Sequence, residues 1–237
     1  LSNQNISLYA YELRGQGNDP DQSRVGDIAS VEHWYKDLNS FIKKVHKETG
    51  DAPIFLYGES LGSLIIMHGN SYLDESIKET IKGVIYASPL IALPGELPPV
   101  KNFIVRLAMF LFPKMKISIK SLASNQNAQV TSETDHWEQM AKTPHFVPKY
   151  TLRTLGSIED LVYSSKEVAP SISKPSLLLY PGKDVFTRPD QVDKFFGNLK
   201  SKDKTKHLFK ESHHLLAFDK EKERLFEIVE QWINKRL

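Results

Sequence analysis

Between Pro53–Tyr57, a short apolar and aromatic run that reads as a strand, and the apolar helical run Ser63–Gly69 stands Gly58-Glu59-Ser60-Leu61-Gly62. No other feature restricts the fold as much as this G-x-S-x-G. A strand that turns directly into a helix through a serine holds that serine in strained backbone geometry. It also places it before the helix's first N–H groups and the positive end of its dipole. Small residues at both glycine positions are expected to let the two backbones approach closely. The remaining pattern fits a layered sheet: Ile6–Leu13, Gly83–Ala87, Ser176–Tyr180 and Lys206–Phe209 also read as strands, separated by helical patterns. That alternation predicts an α/β fold, a mostly parallel sheet flanked by helices in right-handed crossovers. Trp34, Leu38, Phe41, Ile42 and Val45 recur at helical spacing within Val31–Glu48, which Gly50 closes, and Leu225, Val229, Trp232 and Leu237 mark one face of a C-terminal helix.

The alternation stops between Pro89 and Pro170. This stretch holds Pro94, Pro98, Pro99 and Pro113, the apolar run Phe103–Phe112, a polar run at 121–135 and a last helical pattern at Tyr150–Tyr163, with no convincing strand. A structureless loop of that length is improbable in a compact domain, so residues 89–170 are expected to form a helical cap, inserted into a core made of 1–88 and 171–237.

Composition closes other routes. Of the 237 residues none is cysteine, which excludes disulfides, thiolate metal sites and a cysteine nucleophile. The net charge of +2 supplies no basic field for nucleic acid, and no nucleic-acid partner is expected. Phe103–Phe112 contains Arg106 and is about half the roughly 20 residues a membrane-crossing helix needs. With no export signal evident, the location favoured is cytoplasmic or peripheral at a membrane. Gly15-Gln16-Gly17 lacks the third glycine of a dinucleotide fingerprint, and His136, His145 and Glu59 stand at no metal-ligand spacing, so neither cofactor nor metal is expected. Lys200, Lys202, Lys204, Lys206 and Lys210 read as a solvated loop and strand edge, with attraction to anionic headgroups as the lesser alternative.

A serine hydroxyl needs a base, and the base an orienting acid, which behind such a turn follow in the order Ser, Asp or Glu, His. Asp184, in Pro181-Gly182-Lys183-Asp184 after the strand Ser176–Tyr180, sits where a carboxylate would project from the sheet's carboxyl edge. Asp190 and Asp193 suit the start of the following helix better. His207 lies inside a strand, whereas His213 and His214 lie in the loop after it, one of them facing the serine and the other turned away.

These features together resemble the α/β-hydrolase fold and, within it, the monoacylglycerol lipase and lysophospholipase group of serine hydrolases. Tyr11-Glu12-Leu13-Arg14-Gly15-Gln16-Gly17 resembles the family's D-x-R-G-H-G-x-S strand end, with Glu12, Gln16 and Asn18 as departures. Gly58–Gly62 matches the elbow, Ala87-Ser88-Pro89 the strand end before the cap, Gly182–Asp184 the acid turn, and His214 with Asp219 the histidine loop. The acidic residue that the family carries five positions after its histidine favours His214 over His213, with Asp219 expected as the N-cap of the last helix. The resemblance implies Ser60 as nucleophile, His214 as base, Asp184 as orienting acid and the Leu61 N–H as one oxyanion donor. It also implies a second donor from an earlier His-Gly turn. The only His-Gly pair, His68-Gly69, lies beyond the nucleophile on a helix face, so the expectation is that the natural protein is longer than a chain starting at Leu1. The alternative is a variant with an incomplete oxyanion hole.

The implied substrate is a small lipid or ester, such as a monoacylglycerol or lysophospholipid. Leu107, Phe110 and Leu111, with Met109 and Phe112 between Lys101, Lys114, Lys116 and Lys120, would line an acyl site or touch a lipid surface transiently. The alternative is a helix that simply packs on the core. A peptidase or amide hydrolase, or a non-catalytic binding protein on the same fold, are the competing readings. Oligomeric state stays open.

Overall fold

The computed structural model describes residues 6–93, 98–118, 129–132 and 142–237. Pro94, Lys120, His136 and most of the polar run at 121–135 therefore lie outside the described residues. The strands are β1 (Ile54–Glu59), β2 (Ile81–Ala87), β3 (Lys116–Ser118), β4 (Lys149–Thr151), β5 (Ser176–Pro181) and β6 (Lys204–Phe209). Seven helices are described: α1 (Glu32–Thr49), α2 (Leu61–Gly69), α3 (Glu75–Thr80), α4 (Pro99–Leu111), α5 (Leu152–Val168), α6 (Pro189–Asn198) and α7 (Lys222–Asn234).

Four strands make one parallel sheet in the order β1-β2-β5-β6, with Glu59 opposite Ala87 and Ala87 opposite Leu179. Position in the sheet explains composition. Central β5 (SLLLYP) is buried at every residue and reads as a continuous apolar run, while edge strand β6 exposes Lys206. One face is covered by α1, α2, α5 and α6 through Trp34, Leu38, Ile42, Leu64, Val162 and Phe195. The other is covered by α7 through Leu225, Val229, Trp232 and Ile233. Both predicted helical stripes are found, and the Gly50 N–H closes α1 on the His46 carbonyl at 2.8 Å. The last stripe ends on Ile233, however; Leu237 lies past the end of α7 and is exposed.

Two expectations are corrected. Ile6–Leu13 joins no ladder among the described residues. Ile6 packs on the second cluster and Tyr11 and Leu13 on the first, without the strand pairing that the pattern predicts, while Leu8 and Tyr9 stay exposed. Between β2 and β5 the chain is not wholly helical either: β3 and β4 pair antiparallel, three residues each. That small ladder leads into α5, whose N-cap Thr151 accepts from the Thr154 N–H. Hydrogen bonds tie this ladder to the 15–28 loop: Thr151 N–H to the Gly26 carbonyl at 2.8 Å, Thr151 Oγ1 to Asp27 at 2.7 Å, and Tyr150 Oη to Gln16 at 2.8 Å. In that loop the Arg24 guanidinium and the Gly15 and Asp21 N–H groups hold buried Asp19 down to about 2, against the upward push of burial.

Candidate active site

Ser60 stands between β1 and α2 with φ 52° and ψ −115°, a backbone conformation that L-residues avoid and that aims its hydroxyl away from the strand end. The preceding glycine is sterically required: a Cβ on Gly58 would come 2.6 Å from the Gly62 carbonyl. Gly62 departs from expectation, because a Cβ there would meet nothing within 4 Å. Close approach is set by Gly58 alone. Leu61 opens α2, and the first N–H groups of a helix have no partner within it.

The predicted acid and base converge on this serine. His214 Nε2 lies 2.8 Å from Ser60 Oγ, and His214 Nδ1 lies 3.1 Å from each Asp184 carboxylate oxygen. A carboxylate only accepts, so Nδ1 carries the proton and donates, leaving the Nε2 lone pair to accept from the serine hydroxyl. His214 and Asp184 are buried, and Asp184 also accepts from the Phe186 N–H at 2.8 Å. The Phe186 ring meets the imidazole edge to face at 4.7 Å between centroids. The turn and the loop are joined by Gly182 N–H to the Phe209 carbonyl at 2.8 Å and Lys183 N–H to the Ser212 carbonyl at 3.1 Å. A Cβ on Gly182 would come 2.7 Å from the Lys210 carbonyl oxygen.

His213 turns away, its Nδ1 3.0 Å from Asp219. Asp219 does not cap α7, whose N-cap is Glu221. Its carboxylate instead accepts from the His213 and Lys220 N–H groups and from the Ser132 hydroxyl. Burial pushes its carboxyl up, but these bonds outweigh it and hold the group down to about 2. With Leu215 N–H on the Val130 carbonyl at 2.9 Å and Thr131 Oγ1 on the Phe218 carbonyl at 2.7 Å, residues 130–132 are fastened to the histidine loop.

Leu107, Phe110 and Leu111 are all exposed on α4, which contributes no buried residue. It leans on α5 through the Arg106 bridges to Glu159 and Asp160 at 3.0 and 2.6 Å and through Met109 over Gly156. His68, on α2, bonds through Nε2 to the Leu161 carbonyl at 2.9 Å and belongs to the helix packing. Sequence reasoning missed Phe186, the Ser132–Asp219 link, and Ser88, a buried serine at the end of β2 with φ 43° and no partner for its hydroxyl among the described residues. No helix among the described residues is long and apolar enough to cross a membrane.

Comparison with known proteins places the chain in a family. Residues 1–221 match the family described as serine aminopeptidase, S33. An uncharacterized abhydrolase domain-containing protein of Dictyostelium discoideum is 27% identical over all of this chain, which spans 24% of that protein's length. The monoglyceride lipase of Saccharomyces cerevisiae is 25% identical over 99% of this chain and 78% of its own. The crystal structure of Paleococcus ferrophilus monoacylglycerol lipase superposes with a TM-score of 0.78 at 24% identity, covering 97% of this chain and 83% of that one. With the family model running through Ser60, Asp184 and His214, this chain is an α/β-hydrolase-fold protein that belongs to the serine aminopeptidase S33 family.

Proposed function

We propose that the protein hydrolyses carboxylic esters of the monoacylglycerol or lysophospholipid type through a Ser60–His214–Asp184 triad and an acyl-enzyme. The observation that carries the reading is the 2.8 Å contact of His214 Nε2 on Ser60 Oγ, with both Asp184 oxygens on Nδ1. In the first half-reaction Ser60 Oγ bonds to the ester carbonyl carbon while its proton passes to His214 Nε2. Asp184 steadies the imidazolium, and the Leu61 N–H helps hold the oxyanion. Collapse breaks the bond to the alcohol oxygen, which leaves with the proton from His214. Water then attacks the acyl carbon with His214 again as base, and the carboxylic acid departs as Ser60 recovers its proton.

In this reading residues 89–170 act as a cap on a core of 1–88 and 171–237, and the exposed α4 residues Leu107, Phe110 and Leu111 serve the acyl chain or a transient contact with a lipid surface. The Saccharomyces cerevisiae and Paleococcus ferrophilus lipases support a lipid ester; the family description keeps amide hydrolysis as the competing reading. A fluorophosphonate probe is expected to label Ser60 in the wild type and not in Ser60→Ala, and labelling elsewhere or not at all overturns the triad. Faster turnover of aminoacyl amides than of monoacylglycerols decides for the peptidase reading.

A further inference from the structure

We propose that Asp219 and Ser132 are positioning residues for His214: through them the chain between β2 and β5 sets where the imidazole stands beside Ser60. This rests on His214 being the base. The histidine loop leaves β6 at Phe209, and its two halves are supported differently. Up to Ser212 the partners are the acid turn and Glu221. The Phe209 and Ser212 carbonyls accept from the Gly182 and Lys183 N–H groups, and the Glu221 carboxylate accepts from the Glu211 N–H and the Ser212 hydroxyl, both at 3.0 Å. From His213 to Asp219, beyond the loop's own turns, the backbone is held by Asp219 and by residues 130–132.

Asp219 is buried, and its carboxylate meets five donors. One oxygen takes the His213 N–H at 2.8 Å, His213 Nδ1 at 3.0 Å and the Ser132 N–H at 3.2 Å. The other takes the Lys220 N–H at 2.7 Å and the Ser132 hydroxyl. The residue on each side of His214 is thereby fixed: His213 by Asp219, and Leu215 by its N–H on the Val130 carbonyl at 2.9 Å. Thr131, buried between them, adds its Oγ1 on the Phe218 carbonyl at 2.7 Å.

Closing the loop alone would need no more than the His213 and Lys220 N–H groups on the carboxylate, a local pattern that aspartate makes readily. The Ser132 bonds add a dependence on a segment 87 residues away. Ser60 and Asp184 stand close beyond β1 and β5, whereas His214 stands on a loop braced from that segment. Its Nε2 must stay within reach of Ser60 Oγ, now at 2.8 Å, while Nδ1 stays on Asp184. A misplacement of about 1 Å can cost on the order of 10²-fold in rate. Charge suits the task, because an ionised carboxylate accepts from every one of these donors and gives none. With its carboxyl held down to about 2, Asp219 is ionised at neutral pH.

The test is Ser132→Ala, assayed on p-nitrophenyl acetate and by the rate of fluorophosphonate labelling. A base less well placed lowers kcat and kcat/KM together, so both fall about three- to tenfold with KM little changed, and labelling slows in step. Ser132→Thr, which keeps the hydroxyl, restores both rates. Asp219→Ala falls further, and adding Ser132→Ala to it costs nothing more, because the acceptor is already gone. Ser132→Ala with wild-type kcat and labelling rate overturns the inference even where the variant unfolds at lower temperature. A change confined to KM, or a double variant in which the two losses multiply, also overturns it. If Asp219→Ala does not fold, the Ser132 variants carry the test alone. Labelling separates the two levels: a wild type labelled at Ser60 and unlabelled in His214→Ala, with Ser132→Ala unchanged, sinks this inference alone. A wild type that resists labelling removes the triad reading beneath it.

Discussion

The helices α2 and α4 are built from the same kinds of residue and end in opposite surroundings. In α2 the residues Ser63 through Met67 and Gly69 are all buried, because β1 delivers the helix straight onto the sheet and α1 and α5 close over it. In α4, which Pro98 precedes, Pro99 opens and Pro113 follows, Val100, Phe103 and Phe110 each keep more than half of their surface in water, as does Phe112 just past its end. Apolar content shows that a helix profits from cover; only the neighbouring elements show whether the fold supplies it. For α2 the cover is the protein's own core. The bare side of α4 is apolar surface that the described fold leaves uncovered.

That contrast has measurable edges. Leu64→Ala empties a site with no exposed surface and is expected to cost about 2 to 5 kcal/mol in urea unfolding, whereas Phe110→Ala should stay within about 0.5 kcal/mol. Equal losses would mean that α4 is covered in solution. At the elbow, Gly58→Ala drives a methyl into the Gly62 carbonyl and should cost about 1 to 3 kcal/mol, with the reactivity of Ser60 falling alongside, while Gly62→Ala should fold normally. If the two substitutions behave alike, the strand-to-helix approach is looser than these distances. A further edge concerns the link between residues 130–132 and the histidine loop. Asp219 is held at about 2 in the folded state against 3.8, so its contribution of about 2 kcal/mol is full above pH 4 and lost as pH falls from about 4 to 2. Asp219→Asn should be less stable at neutral pH and flatter through that window, and an unchanged acid slope would dismiss the link.

The geometry that joins Ser60, His214 and Asp184 was far more legible in the sequence than the segment around it. Ser60, Asp184 and His214 each follow a strand, and their order along the chain matches the order expected behind such an elbow, so local pattern and topology agree. The choice between His213 and His214 needed the family likeness, and it came out with the wrong job for Asp219: a capping aspartate and a loop-bracing aspartate look the same in one dimension, and the partner that distinguishes them, Ser132, lies 87 residues away. Three-residue strands such as KIS and KYT have no period to detect. Ile6–Leu13 has the composition of a strand, but membership of a sheet depends on a neighbour's free backbone, which composition does not encode.

The lysines of β6 have a consequence of their own. Lys204 Nζ lies 2.9, 3.2 and 2.8 Å from the carbonyl oxygens of Phe196, Gly197 and Leu199, gathering the last turn of α6, and Lys206 reaches Asp193 on the same helix. The outermost strand is thereby strapped to a helix by long cationic arms. A neighbouring chain seeking to extend the sheet would have to strip ammonium groups of their partners before reaching the backbone, so this rim guards against fibre-like stacking while the opposite end of the same strand carries the histidine loop.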